Sequence, residues 1–484
     1  MSTTYAPSAA SRSAGTPSLA ATAAVVITAS LMTVLDTTIV NVALNHLAGA
    51  FHADLATIAW VGTGYTLALA TVIPLTAWGM GRFGTKRLYL TAIVVFALGS
   101  VLAALAWNAP SLIAFRVIQG FGGGMIMPIG MTIMMRAADP ARMGRTTALL
   151  GIPVLVGPLA GPVLGGWLVD QVGWRWIFLI NLPVAIIALL GAVRVLPDEA
   201  PQPSRRLDIP GVAMLSPGLA LLIYGIATGG ERADFTAVAT LVPALAGALL
   251  IIGFAVRALR VDNPLIDLNL FRRSRFRSAT LTLMLFNGAY FGSMLLGPLY
   301  WQLVRGHSAT EAGLFGIPQI LATGITMQIA GRLIDRIPPG RIVLGGIGLA
   351  AIGFTAMTTQ IQADSPYWRI ALAGVVMGIG VGSTIMPTIT TASRGLDPAQ
   401  FPAANTAINI VQQVANSIGT AAISVLLTAA MSRGLPGETL DSVSNADRDA
   451  IAEPLADAFR GTYGWAAGLM ALALIPALLL PRRS

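Results

Sequence analysis

Residues 19–44 read LAATAAVVITASLMTVLDTTIVNVAL, an apolar run broken by a single charge, Asp36. The hydrocarbon core of a bilayer accepts about 20 such residues as one helix, so the run predicts a membrane-spanning segment. Arg12 ahead of it resembles the charged start of a signal peptide. The run is long, however, and more apolar segments follow at once, so it reads as a retained first span. Comparable runs recur to the end of the chain. They predict helices near 55–78, 88–107, 111–134, 145–168, 174–195, 209–228 and 236–256. Further ones are predicted near 277–301, 311–333, 341–360, 368–391, 403–430 and 462–481. The expected fold is all-α and integral to the membrane, with 14 transmembrane helices.

Composition points the same way and removes whole classes of function. Over 484 residues, 55% are hydrophobic and 11% charged, with a mean hydropathy of +0.74; soluble domains carry about 25% charge. The 52 Gly and 29 Pro suit membrane helices, where both are commoner than in water. No cysteine is present, and His46, His52 and His307 fall near loops, so neither a metal site nor another cofactor is expected. Lys86 is the only lysine and is followed by Arg87, so the phosphate-binding G-x-x-x-x-G-K-[ST] loop is missing and ATP is not an expected partner. The net charge of +9 comes from arginines scattered over short loops and forms no single patch for nucleic acid.

Those arginines set the expected topology. With both termini inside, the outside loops hold Arg175, Arg232, Arg305, Arg369, Arg433, Arg448 and Arg460. Every other basic residue except Arg116 falls inside, as the positive-inside rule requires. The longest outside loop, Ser432–Phe459, is acidic and reads as a solvated cap. The chain also repeats itself. Gly331–Arg336 follows a span as Ala77–Arg82 does, and Gly378-x-Gly380-x-Gly382 echoes Gly120-x-Gly122-x-Gly124. The two offsets nearly agree, which predicts duplicated halves around a midplane cavity, the plan of secondary transporters. The expected organisation is a disordered cytoplasmic tail at 1–18 and a six-helix bundle at 19–195. Two inserted helices with a basic cytoplasmic linker follow at 196–276, and a second six-helix bundle at 277–484.

Two charges remain deep inside spans: Asp36 in the first and Arg116 in the fourth. Each costs about 2.5–3.5 kcal/mol at that depth, so each is expected to face a cavity or a partner. One reading is a proton-coupling site at Asp36, with desolvation favouring the neutral acid and Arg116 the carboxylate; the other is a static ion pair that fixes helix packing. Polar stripes add to the pattern. Thr33, Thr37, Asn41 and Asn45 line one side of the first span, and Asn405, Asn409, Gln412 and Asn416 one face of the thirteenth. Such stripes turn away from lipid, toward either a wet cavity or neighbouring helices. In the fifth span Gly157, Gly161 and Gly165 form a smooth face beside Pro158 and Pro162, suited to close backbone approach and bending.

These residues resemble the major facilitator superfamily, in particular its fourteen-span drug:proton antiporter branch. Leu35-Asp-Thr-Thr-Ile-Val-Asn-Val-Ala-Leu44 resembles the branch's span-1 motif, with Asn45 where proline is usual. Gly79-Met-Gly-Arg82-Phe-Gly84-Thr-Lys86-Arg87 resembles the loop 2–3 motif that latches the inward gate. Gly81 stands where that motif has aspartate, whereas the second half keeps one as Asp335, followed by Arg336. Phe115-Arg-Val-Ile-Gln119-Gly120 resembles the span-4 motif, whose arginine is implicated in proton transfer, here Arg116; Gln119 is expected in the cavity. Gly161-Pro162-Val-Leu-Gly165-Gly166 resembles the antiporter motif, and Trp174–Pro183 the family's span-6 start. The resemblance implies alternating access and export of amphipathic compounds in exchange for protons, by a chain that works as a monomer. Proton-coupled uptake on the same fold is the alternative. No convergent catalytic group suggests an enzyme.

Overall fold

The computed structural model describes residues 18–53, 55–139, 143–198, 206–232, 234–434 and 448–480. The expected disordered tail, apart from Ser18, and residues 435–447 of the expected outer loop lie outside them. Among the described residues every regular element is a helix. The first half contains α1 (Leu19–Phe51), α2 (Leu55–Val72), α3 (Leu75–Phe83), α4 (Thr85–Ala104), α5 (Ala109–Ala137), α6 (Met143–Ala148), α7 (Gly151–Gln171), α8 (Trp176–Leu179) and α9 (Asn181–Val195). Then come α10 (Ile209–Arg232) and α11 (Val238–Ala258). The second half contains α12 (Ser274–Ser293), α13 (Leu296–Leu299), α14 (Ala309–Phe315), α15 (Ile317–Leu333), α16 (Pro339–Gln360), α17 (Tyr367–Gly382), α18 (Ile385–Ser393) and α19 (Phe401–Gly434). Two closing helices, Arg448–Leu472 and Leu474–Ala477, end the described chain.

Ten helices are long and apolar enough to cross a membrane, or eleven if the pair Thr57–Val72 and Leu75–Phe83 is one span bent by 57°. The bend falls at Pro74, which lacks the N–H that would continue the ladder. Helices also stand at the other three expected spans. There α15 has only 17 residues, and Arg448–Leu472 begins with a charged third. That helix starts well before the expected position near 462, because its polar first turns are anchored. Arg460 pairs with Asp457 at 2.6 Å and Glu453 at 3.2 Å and donates to the Ile361 carbonyl. Hydropathy cannot see such a segment.

The two glycine triplets carry out the same packing in each half. A Cβ on Gly120 or Gly124 would stand 2.6 Å from the Tyr65 or Leu69 carbonyl of α2, and one on Gly122 would stand 2.7 Å from the Ala92 carbonyl of α4. In the second half, Gly382 meets the backbone of α15, and Gly380 meets the Gly346 carbonyl of α16 at 2.6 Å. Each triplet thus lets one helix press on the backbones of two neighbours.

The inserted pair takes a different place. α10 packs against α2 of one half and α19 of the other. The Trp60 and Tyr224 rings lie 5.5 Å apart, and the Ser424 hydroxyl donates to the Gly230 carbonyl. α11 lies outside it and exposes Leu245, Leu249 and Ile252. Asp208 and Arg257, 2.9 Å apart, tie the pair together at one end.

Candidate functional site

Asp36 sits in the middle of α1 with no exposed surface, and Arg116 of α5 is 1% exposed. A carboxylate in that position must find donors, and two helices, α5 and α9, supply them. Arg116 Nη1 donates to Asp36 Oδ2 at 2.6 Å. Gln119 Nε2 and Asn181 Nδ2 both donate to Asp36 Oδ1 at 2.8 Å. Ser100 of α4 accepts from Gln119 and Asn181 and donates to the Phe178 carbonyl. Arg116 is held as firmly. It also donates to Gln119 Oε1 and to the Val61 carbonyl, and its guanidinium lies 4.2 Å from the centre of the Tyr65 ring. The network is buried and lies wholly within the first half.

Beside it, between the halves, is a cavity of about 460 Å³. Thr33, Thr37, Thr38 and Tyr65 line the side contributed by the first half, and Asn405, Asn409, Gln412 and Asn416 are on the wall contributed by α19. Tyr65 therefore has the Arg116 guanidinium on one side and the cavity on the other. Gln119, expected in the cavity wall, does not line it; its carboxamide is consumed by Asp36, Arg116 and Ser100. The side chains of Asn41 and Asn45 lie outside the described residues. No Asp, Glu, Lys, Arg or His lines this cavity among the described residues.

The halves are hydrogen-bonded to each other on the face that carries Lys86, Arg87 and the arginines of 272–277. Thr76 and Thr406 hydroxyls meet at 2.9 Å, Asn405 donates to Thr132, and Gln328 to the Ala148 carbonyl. Asp335, at the end of α15, accepts from the Gly144 and Arg145 amides and from Arg394 at 3.0 Å. Its neighbour Arg336 is exposed. The loop joining α3 to α4 turns at Gly84, whose φ of 84° and ψ of 147° suit a residue without a Cβ. Arg82 and Arg87 are exposed there, and Lys86 reaches Asp198 at 3.3 Å. Gly81 has no atom within 4 Å of where a Cβ would stand. It borders a second cavity of about 420 Å³ together with Arg136, Pro402 and Ala403. Arg136 donates to the Thr85 hydroxyl, and Gly81 stands where the second half carries Asp335.

The glycines of α7 turn inward within their own half rather than between halves. Cβ atoms at Gly157 and Gly161 would collide with Val34 and Thr38 of α1, and one at Gly165 would stand 3.2 Å from Ile39 Cα. The Thr38 hydroxyl donates to the Gly157 carbonyl. Gly166 faces open space, and the side chains of Pro158 and Pro162 lie outside the described residues.

Three polar residues at the network or the cavity were not singled out in the sequence: Ser100, Asn181, which lies within the Trp174–Pro183 motif, and Asn287. Each is a polar residue in an apolar run, a signal of the kind that marked Asp36. Asn287 of α12 borders the central cavity, has no exposed surface, and neither its Nδ2 nor its Oδ1 has a hydrogen-bond partner.

Residues 26–420 match the sequence model of the Major Facilitator Superfamily. The chain is 40% identical to a Multidrug resistance protein B homolog of Mycobacterium tuberculosis, over 96% of this chain and 90% of that protein. It is 32% identical to the Multidrug export protein EmrB of Escherichia coli, over 83% of this chain and 78% of that one. In fold it resembles the human organic anion transporter MFSD10, with a TM-score of 0.64 and 16% identity over 95% of this chain and all of that one. It also resembles the proton:xylose symporter XylE, with a TM-score of 0.64 and 13% identity over 94% of each chain.

Proposed function

Because this chain belongs to the major facilitator superfamily, we propose that it exports small amphipathic molecules in exchange for protons by alternating access. It is a multi-pass membrane transporter rather than an enzyme; direction, coupling and topology form the proposal. The basic face is cytoplasmic, both termini lie on it, the chain crosses the inner membrane fourteen times and works as a monomer without ATP. The relatives named for multidrug resistance and export support the direction and the kind of substrate.

The observation that carries the coupling is the buried Asp36–Arg116 pair beside the cavity but screened from it by Tyr65. An ionisable pair at this depth is costly unless it has a use or a full set of partners. Here it has partners on one side and the transport cavity on the other. Protonation of Asp36 removes the charge that holds Arg116, Gln119 and Asn181 in place. The guanidinium then shifts against Tyr65, and the cavity wall moves with it. Closure of the basic face by Asp335 and the inter-half hydrogen bonds supports reading this arrangement as the state that accepts a proton from outside and releases substrate there.

The test is proton-gradient-driven transport by Asp36→Asn in proteoliposomes, normalised to folded protein. Asparagine keeps the shape but cannot titrate, so gradient-driven export should be abolished while substrate binding persists. Loss of folding with coupling intact in the folded remainder would instead identify a static pair. Running the gradient in both directions separates export from uptake.

A further inference from the structure

We propose that the central cavity selects uncharged amphipathic molecules rich in hydrogen-bond donors, and that Asn287 is the residue that reads them. The inference rests on the cavity being the transport site, and it adds a class of substrate to that reading. The first ground is charge. Among the described residues the cavity wall contains no Asp, Glu, Lys, Arg or His, and the buried carboxylate beside it, Asp36, is already engaged by Arg116, Gln119 and Asn181. A permanently charged molecule would leave water without meeting a counter-charge, which is unfavourable in so apolar a surround.

The second ground is the balance of unpaired polar atoms. The carboxamides of Gln119 and Asn181 are hydrogen-bonded within the first half. Asn287 makes no hydrogen bond through either atom, and the Oδ1 atoms of Asn405 and Asn416, which border the same cavity, are unpaired as well. Buried amide atoms of this kind are unfavourable unless something binds them. With the Tyr65 hydroxyl, unpaired at the same wall, these are five atoms, of which only Asn287 Nδ2 and the Tyr65 hydroxyl can donate while three amide oxygens accept, so the complementary ligand carries more donors than acceptors at these positions. Hydroxyl and amide N–H groups meet that requirement; quaternary ammonium and phosphonium ions do not. Much of the remainder of the wall is apolar and adaptable, with Met127, Met131, Met294, Met327 and Met386 around it. Selection therefore falls on polarity and donor count rather than on one shape.

Binding to the purified full-length chain in lipid nanodiscs tests this, without a gradient, by calorimetry. Chloramphenicol is the uncharged probe, with an amide N–H and two hydroxyls; tetraphenylphosphonium is the permanent cation, with no donor. Chloramphenicol should bind more tightly, and Asn287→Leu should weaken it by about tenfold or more while leaving tetraphenylphosphonium unchanged. Asn416→Leu, at a less buried position, should weaken chloramphenicol in the same direction and serves if Asn287→Leu does not fold. Tetraphenylphosphonium binding as tightly as chloramphenicol, no binding of chloramphenicol, or its undiminished binding by the folded variants would each overturn the proposal. A chain that binds chloramphenicol as expected yet fails to move it against a proton gradient contradicts the export reading and leaves the selectivity standing.

Discussion

Asp36 shows how one residue can be legible in sequence while its surroundings are not. A lone carboxylate in a 26-residue apolar run must be buried and partnered, and Arg116 was the only other deep charge available to it. Ser100 and Asn181 are different. Neutral polar residues occur in many membrane helices without consequence, and only the crossing of α4 with α8 and α9 brings these two to Asp36. The same holds for Asn287, whose importance lies in what it fails to touch. Gln119 went astray for a related reason. Its place one turn beyond Arg116 was legible, but the side on which its carboxamide finds acceptors was not. The network predicts that Asn181→Leu leaves both Asp36 and Ser100 short of a donor, at a cost of about 1–3 kcal/mol. Thermal unfolding in detergent should show the loss. An unchanged midpoint would mean that water or Gln119 replaces the missing amide.

At the scale of the helix, apolar length located most spans, because lipid imposes it directly. It failed where a helix is held by something other than lipid, as at the charged start of Arg448–Leu472, which Ile361 and Ala363 anchor. It also merged α2 and α3, since hydropathy does not register a bend. The glycines of α7 were legible as a smooth face, but their partner was not; the face meets α1 at Val34, Thr38 and Ile39, on either side of Asp36, within one half. Gly161→Leu forces a branched side chain into Thr38, whose hydroxyl holds the Gly157 carbonyl. Overpacking of this kind costs about 1–3 kcal/mol. The variant should insert into the membrane at normal levels and lose transport, measured as counterflow in vesicles. Full transport would show that α1 and α7 separate during the cycle.

For the molecule as a whole, the arginine distribution makes a direct prediction of sidedness. Since the chain has no natural cysteine, Ser274→Cys should react with an impermeant thiol reagent only from inside, and Ser308→Cys only from outside. Reaction of both from one face would change the number of crossings. The two halves also differ at the basic face: Asp335 bonds to Arg394 and to the start of α6, whereas its counterpart in the first half is Gly81, which borders the same cavity as Arg136. Gly81→Asp has room for its carboxylate and places it near Arg136. It should hold the basic face shut, and a bias of about 1.4 kcal/mol would shift the two access states about tenfold. Spin-label distances across that face should narrow, and turnover should fall; an unaltered distance distribution would show that the carboxylate does not reach Arg136. The sequence already shows the asymmetry, Gly81 in one half against Asp335 in the other; what it could not show is which groups Asp335 bonds to. The inserted pair has a consequence of another kind. With α10 lying along both α2 and α19, one flank of the cavity is walled off from the acyl chains. On that flank α10 covers the seam between α2 and α19, whereas on the other α7 packs directly on α15, so one seam between the halves is a helix thicker than the other.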